Sequence, residues 1–173
     1  MDSTHNMEIV AENYEVKIPV RAGVVAGLFG ALSIIVVVTA ILLFNGKDIG
    51  MAARLIATTV YGSDAMVGFM PIIIGTIIHL VMGSLLGAIF ARLIPRMPRA
   101  IWILAGIGFG TAAFVISTFI VLPLIAQPMI AEDANKSILL IAHMIYGAVL
   151  GLGGAGYQLW WHLPLRWQPN VDV

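Results

Sequence analysis

The chain has 173 residues, of which 60% are hydrophobic and 10% charged, and its nine basic residues balance its nine acidic ones. This composition lies outside the range of soluble domains and predicts an integral membrane protein. The zero net charge gives no reason to expect a nucleic-acid partner. The chain contains no cysteine, which excludes disulfides, thiolate metal sites and cysteine nucleophiles.

Four runs of roughly 20 apolar residues are long enough to cross a bilayer as helices. We expect the first run to stay in the membrane as an anchor, because a polar segment precedes it and it is too long for the core of a cleaved signal peptide. The predicted fold is an all-α integral membrane protein, a four-helix transmembrane bundle. Its spans are predicted at about 22–44, 70–93, 101–125 and 138–161.

The spans form one membrane domain at 21–161 between two polar tails, 1–20 and 162–173. Lysine and arginine near span ends predict orientation, because they are retained on the cytoplasmic side. Six of the nine basic residues lie on the N-terminal side, in or next to the second loop, or in the C-terminal tail, and three lie in the first and third loops. Both termini are therefore predicted to be cytoplasmic, and Trp102 is predicted to be an interfacial aromatic on that face.

The first outer loop contains "DIGMAARLIATTVYG", which is too short and too polar to span the membrane. Its apolar residues recur at helical spacing, which predicts a short helix lying in the interface. These residues are Ile49, Ala52, Ala53, Ile56 and Val60.

The second and fourth spans share a pattern of histidine followed by small residues at offsets of four, eight and twelve. His79 is followed by Gly83, Gly87 and Ala91, and His143 by Gly147, Gly151 and Ala155. The first and third spans correspond more weakly, with Gly30 aligned to Gly108. The pattern predicts an internal repeat of two helical hairpins that enter the membrane in the same direction.

Small residues four apart lie on one helix face and let membrane helices approach closely. Gly83, Gly87, Gly147 and Gly151 are therefore predicted to be packing residues. A histidine beside such a stripe either forms an interhelical hydrogen bond or marks a functional site, because ionisable residues in a span are costly.

Parallel helices with imidazoles at similar depth suit bis-histidine ligation of haem b, so His79 and His143 are candidate axial ligands. Copper is another candidate metal, since Met82 lies close to His79 in the sequence. A small-solute channel or transporter is a further alternative, although no carboxylate, lysine or arginine lies deep in a span. Its path would be lined by the two histidines and Ser33, Thr76, Ser84, Thr111, Ser117 and Thr118.

Other features are interpreted as structural. "GIGFG" at 106–110 lies inside an apolar span with no preceding strand, so it is not interpreted as a nucleotide-binding loop. Pro123 and Pro128 are expected to end or kink the third helix. Asn135 or Ser137 is expected to be the N-cap of the fourth helix.

The segments "GTIIHLVMGSLLGAIFARLIPRMP" and "LLIAHMIYGAVLGLGGAGY" resemble an uncharacterised family of prokaryotic four-span proteins with His-xxx-Gly motifs in the second and fourth spans. The resemblance covers residues 21–157 and departs from the family's usual pattern at "GLGGAGYQ". It implies a prokaryotic cell-membrane location and the four-span fold. The positions that carry it are His79, Gly83, His143, Tyr146, Gly147 and Gly151.

We expect a small accessory or assembly subunit of a larger membrane complex, and the resemblance points to a respiratory one. No catalytic triad, zinc motif or paired carboxylates are present in the sequence, so catalysis by this chain alone is not expected. The alternatives are the b-type cytochrome and the channel. The expected partners are the lipid bilayer and either other membrane subunits or a second copy of the chain.

Overall fold

The computed structural model describes residues 18–94, 99–125 and 135–161. The predicted tails, apart from Ile18, Pro19 and Val20, and Pro128 lie outside these ranges. Within them every regular element is helical. The elements are α1 (Val20–Phe44), α2 (Met51–Tyr61), a 3₁₀ turn (Gly62–Met66), α3 (Met70–Leu93), α4 (Arg99–Ile116), a π-helical segment (Ser117–Val121), α5 (Leu122–Ile125) and α6 (Lys136–Trp161).

Four of these helical stretches are long and apolar enough to span a membrane, which confirms the predicted all-α four-helix bundle. They are α1, α3, the stretch from α4 into the π-helical segment, and α6. The central helices are α1 and α6, which pack against each other. α3 packs on α1, and α4 packs on α6.

Glycines allow both hairpins to close tightly. In the first hairpin a Cβ on Gly23 or Gly27 would overlap the carbonyl oxygen of Gly87 or Gly83. In the second, a Cβ on Gly106 would overlap the carbonyl oxygen of Gly147, and one on Gly110 would overlap that of His143. The helix backbones therefore touch, which is how membrane helices gain packing energy without a hydrophobic driving force between them.

Trp102 is fully buried, with 0% of its surface exposed. The prediction that it is an interfacial aromatic is therefore wrong. Gly154 on α6 leaves room for the indole, since a Cβ there would lie 2.8 Å from the Trp102 ring. On its other side Trp102 meets Phe90 of α3 edge to face, at 6.0 Å between ring centroids.

The short helix α2 packs along α3. A Cβ on Gly75 would overlap the Ala53 carbonyl oxygen, so the two backbones touch there. Ala57 is buried, whereas Ile49 and Val60 are exposed. The predicted helix is present; Ala57 faces the bundle, Ile56 is half-buried and Val60 faces outward.

The third span changes its helix type before Pro123. Proline lacks an N–H and its ring collides with the carbonyl four residues earlier in an α-helix. The π-helical segment Ser117–Val121 ends two residues before Pro123 and widens the helix there. The predicted disturbance at Pro123 is therefore present as a π-turn followed by the short α5.

The fourth span begins at a side-chain cap. The Asn135 side-chain oxygen accepts hydrogen bonds from the backbone N–H groups of Ser137 and Ile138, at 3.1 and 3.3 Å. This places Asn135 as the N-cap and leaves Ser137 inside the helix.

Candidate functional site

His79 points from α3 toward α1. Its Nε2 lies 3.2 Å from the carbonyl oxygen of Ala31. A carbonyl can only accept, so Nε2 carries the hydrogen and a neutral imidazole leaves Nδ1 unprotonated. The bond joins the two helices of the first hairpin at a half-buried position.

His143 uses its other nitrogen. Its Nδ1 lies 2.7 Å from the carbonyl oxygen of Leu139, one turn earlier on α6, so Nδ1 is the donor. Its Nε2 is 3.5 Å from the Ser117 hydroxyl oxygen on the π-helical segment, which is a long contact. The ring also stands edge to face with Phe114, at 5.8 Å between centroids. As neutral groups, the two histidines therefore have opposite tautomers.

Tyr146 lies between the two hairpins. Its hydroxyl donates a 2.7 Å hydrogen bond to the carbonyl oxygen of Gly83 on α3. Its ring fills the space beside Gly30 of α1, where a Cβ would come within 2.6 Å of the ring. One side chain thus connects α6 with both helices of the first hairpin.

His79 on α3 and His143 on α6 are both half-buried. Gly83 is one turn after His79, and Tyr146 is three residues after His143, so the Tyr146 bond lies beside both imidazoles. The four glycines predicted to pack are all buried where helices cross: Gly83, Gly87, Gly147 and Gly151.

Most hydroxyl groups proposed for a polar path bond to their own helices. Ser33 donates to Gly30, Thr76 to Ile72, Thr111 to Ile107 and Ser117 to Phe114, each to a backbone carbonyl oxygen. Among the described residues, no group of three or more histidine or carboxylate side chains is arranged to hold a metal ion.

Haem ligation through His79 and His143 stays a prediction. In this arrangement the Nε2 of His79 donates to Ala31 and does not present a lone pair to a metal. His143 is better suited, because its Nδ1 donates to a carbonyl and leaves Nε2 as a base. The donor set as it stands therefore fits one axial ligand and does not fit two.

Three residues pack in this region although the sequence did not predict a packing role for them: Tyr146, Gly106 and Gly110. The family resemblance alone singles out Tyr146. The two glycines are four residues apart, which is the spacing of a packing stripe. That spacing could have predicted their packing role. Gly108 lies between them, however, so the segment also resembles a glycine-rich nucleotide-binding loop.

Comparison with known sequences places the chain in a family. The model of a family described as "Family of unknown function (DUF6789)" matches residues 18–158. No curated protein and no solved structure matches the chain.

Proposed function

Since the chain belongs to the DUF6789 family, whose function is unknown, we propose its role from the geometry of the bundle. It acts as a small accessory or assembly subunit of a larger membrane complex, with no catalysis of its own. The observation that carries this proposal is that the polar side chains inside the bundle form hydrogen bonds to the backbone of the bundle. His79, His143 and Tyr146 all donate to backbone carbonyl oxygens of the bundle.

Polar groups inside a membrane protein are costly unless they have partners. Here two of the three donors connect different helices: His79 connects α3 to α1, and Tyr146 connects α6 to α3. A side chain used in this way holds the helices in register. A rigid bundle with an apolar outer surface is suited to support neighbouring membrane subunits.

The test is the state of the chain in its native membrane. A chromosomally tagged chain is extracted in digitonin and run on a native gel, and co-migrating proteins are identified by mass spectrometry. We expect migration with a larger membrane complex whose abundance falls when the chain is deleted. Migration only as a monomer or homo-oligomer, with other complexes unchanged by the deletion, would contradict the proposal.

A matched pair of variants of the tagged chain tests whether the complex depends on the folded bundle. Gly106→Leu places a side chain on the Gly147 carbonyl, whereas a Cβ on Gly108 of the same helix would meet no atom of a neighbouring helix within 4 Å. We expect Gly106→Leu to reduce the complex as the deletion does. Gly108→Leu should leave it intact.

A b-type cytochrome is the second candidate. It is favoured by the basic Nε2 of His143 and by the Tyr146–Gly83 hydrogen bond, which joins the helix turns next to the two histidines. For His79 to bind iron through Nε2 it would have to release Ala31 and turn its ring. When bound, a haem would supply one-electron redox chemistry.

A visible spectrum decides between the two candidates. The protein is expressed with ample haem supply and purified, and a reduced-minus-oxidised spectrum is recorded. Soret and α bands that disappear in both His79→Ala and His143→Ala would support the cytochrome. A folded, colourless protein would support the accessory role.

We also infer that the two hairpins are copies of one unit. Gly83 packs on Gly27, and Gly147 packs on Gly106. Gly87 packs on Gly23, while Gly151 packs on Trp102. These pairs align Gly27 with Gly106, which differs by one residue from the sequence alignment of Gly30 with Gly108. A Cβ on Gly30 would meet Tyr146, whereas a Cβ on Gly108 would meet no neighbouring helix within 4 Å.

For orientation, we propose that both termini are cytoplasmic. Arg21 lies in the first turn of α1 and Arg92 in the last turn of α3, which are adjacent ends of an antiparallel pair. Both are exposed. Basic residues at these ends favour the cytoplasmic face.

A further inference from the structure

A groove of about 660 Å³ lies on the outer surface between α1 and α6. Its floor is formed by small residues: a Cβ on Gly153 would lie 2.7 Å from the Cβ of Ala26. Its sides include Val25, Phe29 and Leu152, which are 51%, 59% and 56% exposed. The groove therefore exists because glycine and alanine face each other between larger apolar side chains.

The two ends of this groove differ in polarity. Arg21 and Tyr157 lie at one end and Phe29 at the other. Arg21 is the second residue of α1, so it lies where the span enters the interface. Phe29 is eight residues further along, or about 12 Å at 1.5 Å per residue. That length covers most of one leaflet, whose hydrocarbon is about 15 Å thick.

We propose that this groove binds an anionic phospholipid, with one acyl chain lying along the apolar sides and the phosphate on Arg21. The guanidinium is exposed, and it forms no ion pair with any acidic side chain in the described part of the chain. Guanidinium groups match phosphate oxygens in a bidentate geometry. Basic pockets between transmembrane helices are suited to anionic headgroups, and the cytoplasmic leaflet is rich in them.

The length of the groove along the span favours a lipid over a transmembrane helix as its occupant. A packed partner helix would contact a stripe along the whole span, whereas this groove covers about one leaflet and ends in a charge. An acyl chain joined to a phosphate has the same order of features: a charged end at the interface and an apolar tail of limited length. The inference is independent of whether the chain serves as an accessory subunit.

The proposal is tested on the full-length chain purified in mild detergent. Native mass spectrometry measures the retention of added dioleoyl phosphatidylglycerol and dioleoyl phosphatidylcholine, which have identical acyl chains. We expect the phosphatidylglycerol to be retained preferentially. Arg21→Gln should weaken its retention about fivefold, the factor that corresponds to roughly 1 kcal/mol for one basic residue near an anionic surface. Arg92→Gln, at another exposed arginine, should have no comparable effect.

A second pair of variants tests the groove itself. Val25→Trp fills the groove from an exposed position without entering the helix crossing, and Val36→Trp makes the same change elsewhere on α1. We expect only Val25→Trp to reduce retention of both lipids. Equal retention of the two lipids by the wild type would overturn the proposal, as would equal effects of Arg21→Gln and Arg92→Gln. Disulfide cross-linking of two Val25→Cys chains in lipid-replete membranes would assign the groove to a second copy and would also overturn it.

Discussion

The Tyr146 phenol on α6 donates a hydrogen bond to the carbonyl oxygen of Gly83 on α3, with the two oxygens 2.7 Å apart. We predict that Tyr146→Phe lowers the free energy of unfolding by about 0.5–1.5 kcal/mol, because interhelical hydrogen bonds in membrane proteins contribute amounts of this order. Unfolding in mixed detergent and SDS micelles measures the change. Tyr61→Phe, at an exposed position on α2, is the control. A Tyr146→Phe protein as stable as the control would show that the bond does not support the bundle.

The crossing of α4 and α6 predicts opposite outcomes for two neighbouring glycines. Gly106→Ala should lower the free energy of unfolding by about 1–3 kcal/mol, since the added methyl group overlaps the Gly147 carbonyl oxygen and overpacking costs this much. Gly108→Ala faces open space and should be neutral or stabilising, because alanine favours the helix. Thermal unfolding in detergent compares them. Equal effects would mean that the helices do not cross at Gly106.

The two histidines are predicted to have opposite neutral tautomers. His79 should carry its hydrogen on Nε2 and His143 on Nδ1, because each of these atoms faces a carbonyl oxygen that can only accept. The ¹⁵N chemical shifts of labelled imidazoles in bilayers or micelles distinguish the tautomers. His79→Gln and His143→Gln assign the signals. Identical tautomers would contradict the bond to Ala31 or the bond to Leu139.

Arg54 of α2 holds the loop between α1 and α3. Its guanidinium pairs with Asp48 and donates a 3.1 Å hydrogen bond to the carbonyl oxygen of Gly68. Gly68 has a φ of +83°, which most other residues adopt only with strain. We expect Arg54→Ala to increase proteolysis of the loop and to change global stability by no more than about 1 kcal/mol, because the ion pair is partly exposed.

Limited proteolysis of membranes and unfolding in detergent separate these two effects of Arg54→Ala. Lys47→Ala removes a basic residue from the same loop and is the control. A large loss of global stability would indicate that α2 is part of the core of the bundle. Unchanged proteolysis would indicate that Arg54 does not hold the loop.

The proposed orientation is accessible to cysteine labelling, because the native chain has no cysteine. Ser63→Cys lies between α2 and α3, and Leu93→Cys at the end of α3, both at exposed positions. A membrane-impermeant maleimide on intact cells should label Ser63→Cys and leave Leu93→Cys unlabelled until the cells are opened. The reverse pattern would invert the proposed topology.

The four spans and the short helix α2 follow from the sequence because they depend on local properties. Length and hydropathy alone decide whether a segment can cross hydrocarbon, and a polar interruption with helical spacing suffices to predict α2. Glycines four residues apart on one helix face also predict close approach, as at Gly83 and Gly87. Asn135 is one of two predicted caps, and the backbone N–H groups that it bonds select between them.

Other properties depend on what lies opposite a residue, and only the tertiary structure decided them. Trp102 is buried because Gly154 makes room for it, and Gly106 differs from Gly108 because only one of them faces α6. The two histidines occur in similar sequences, yet one bonds to a neighbouring helix and the other to its own. Membrane insertion depends on each helix's own composition, whereas tautomers, crossings and grooves depend on the atoms of the helix beside it.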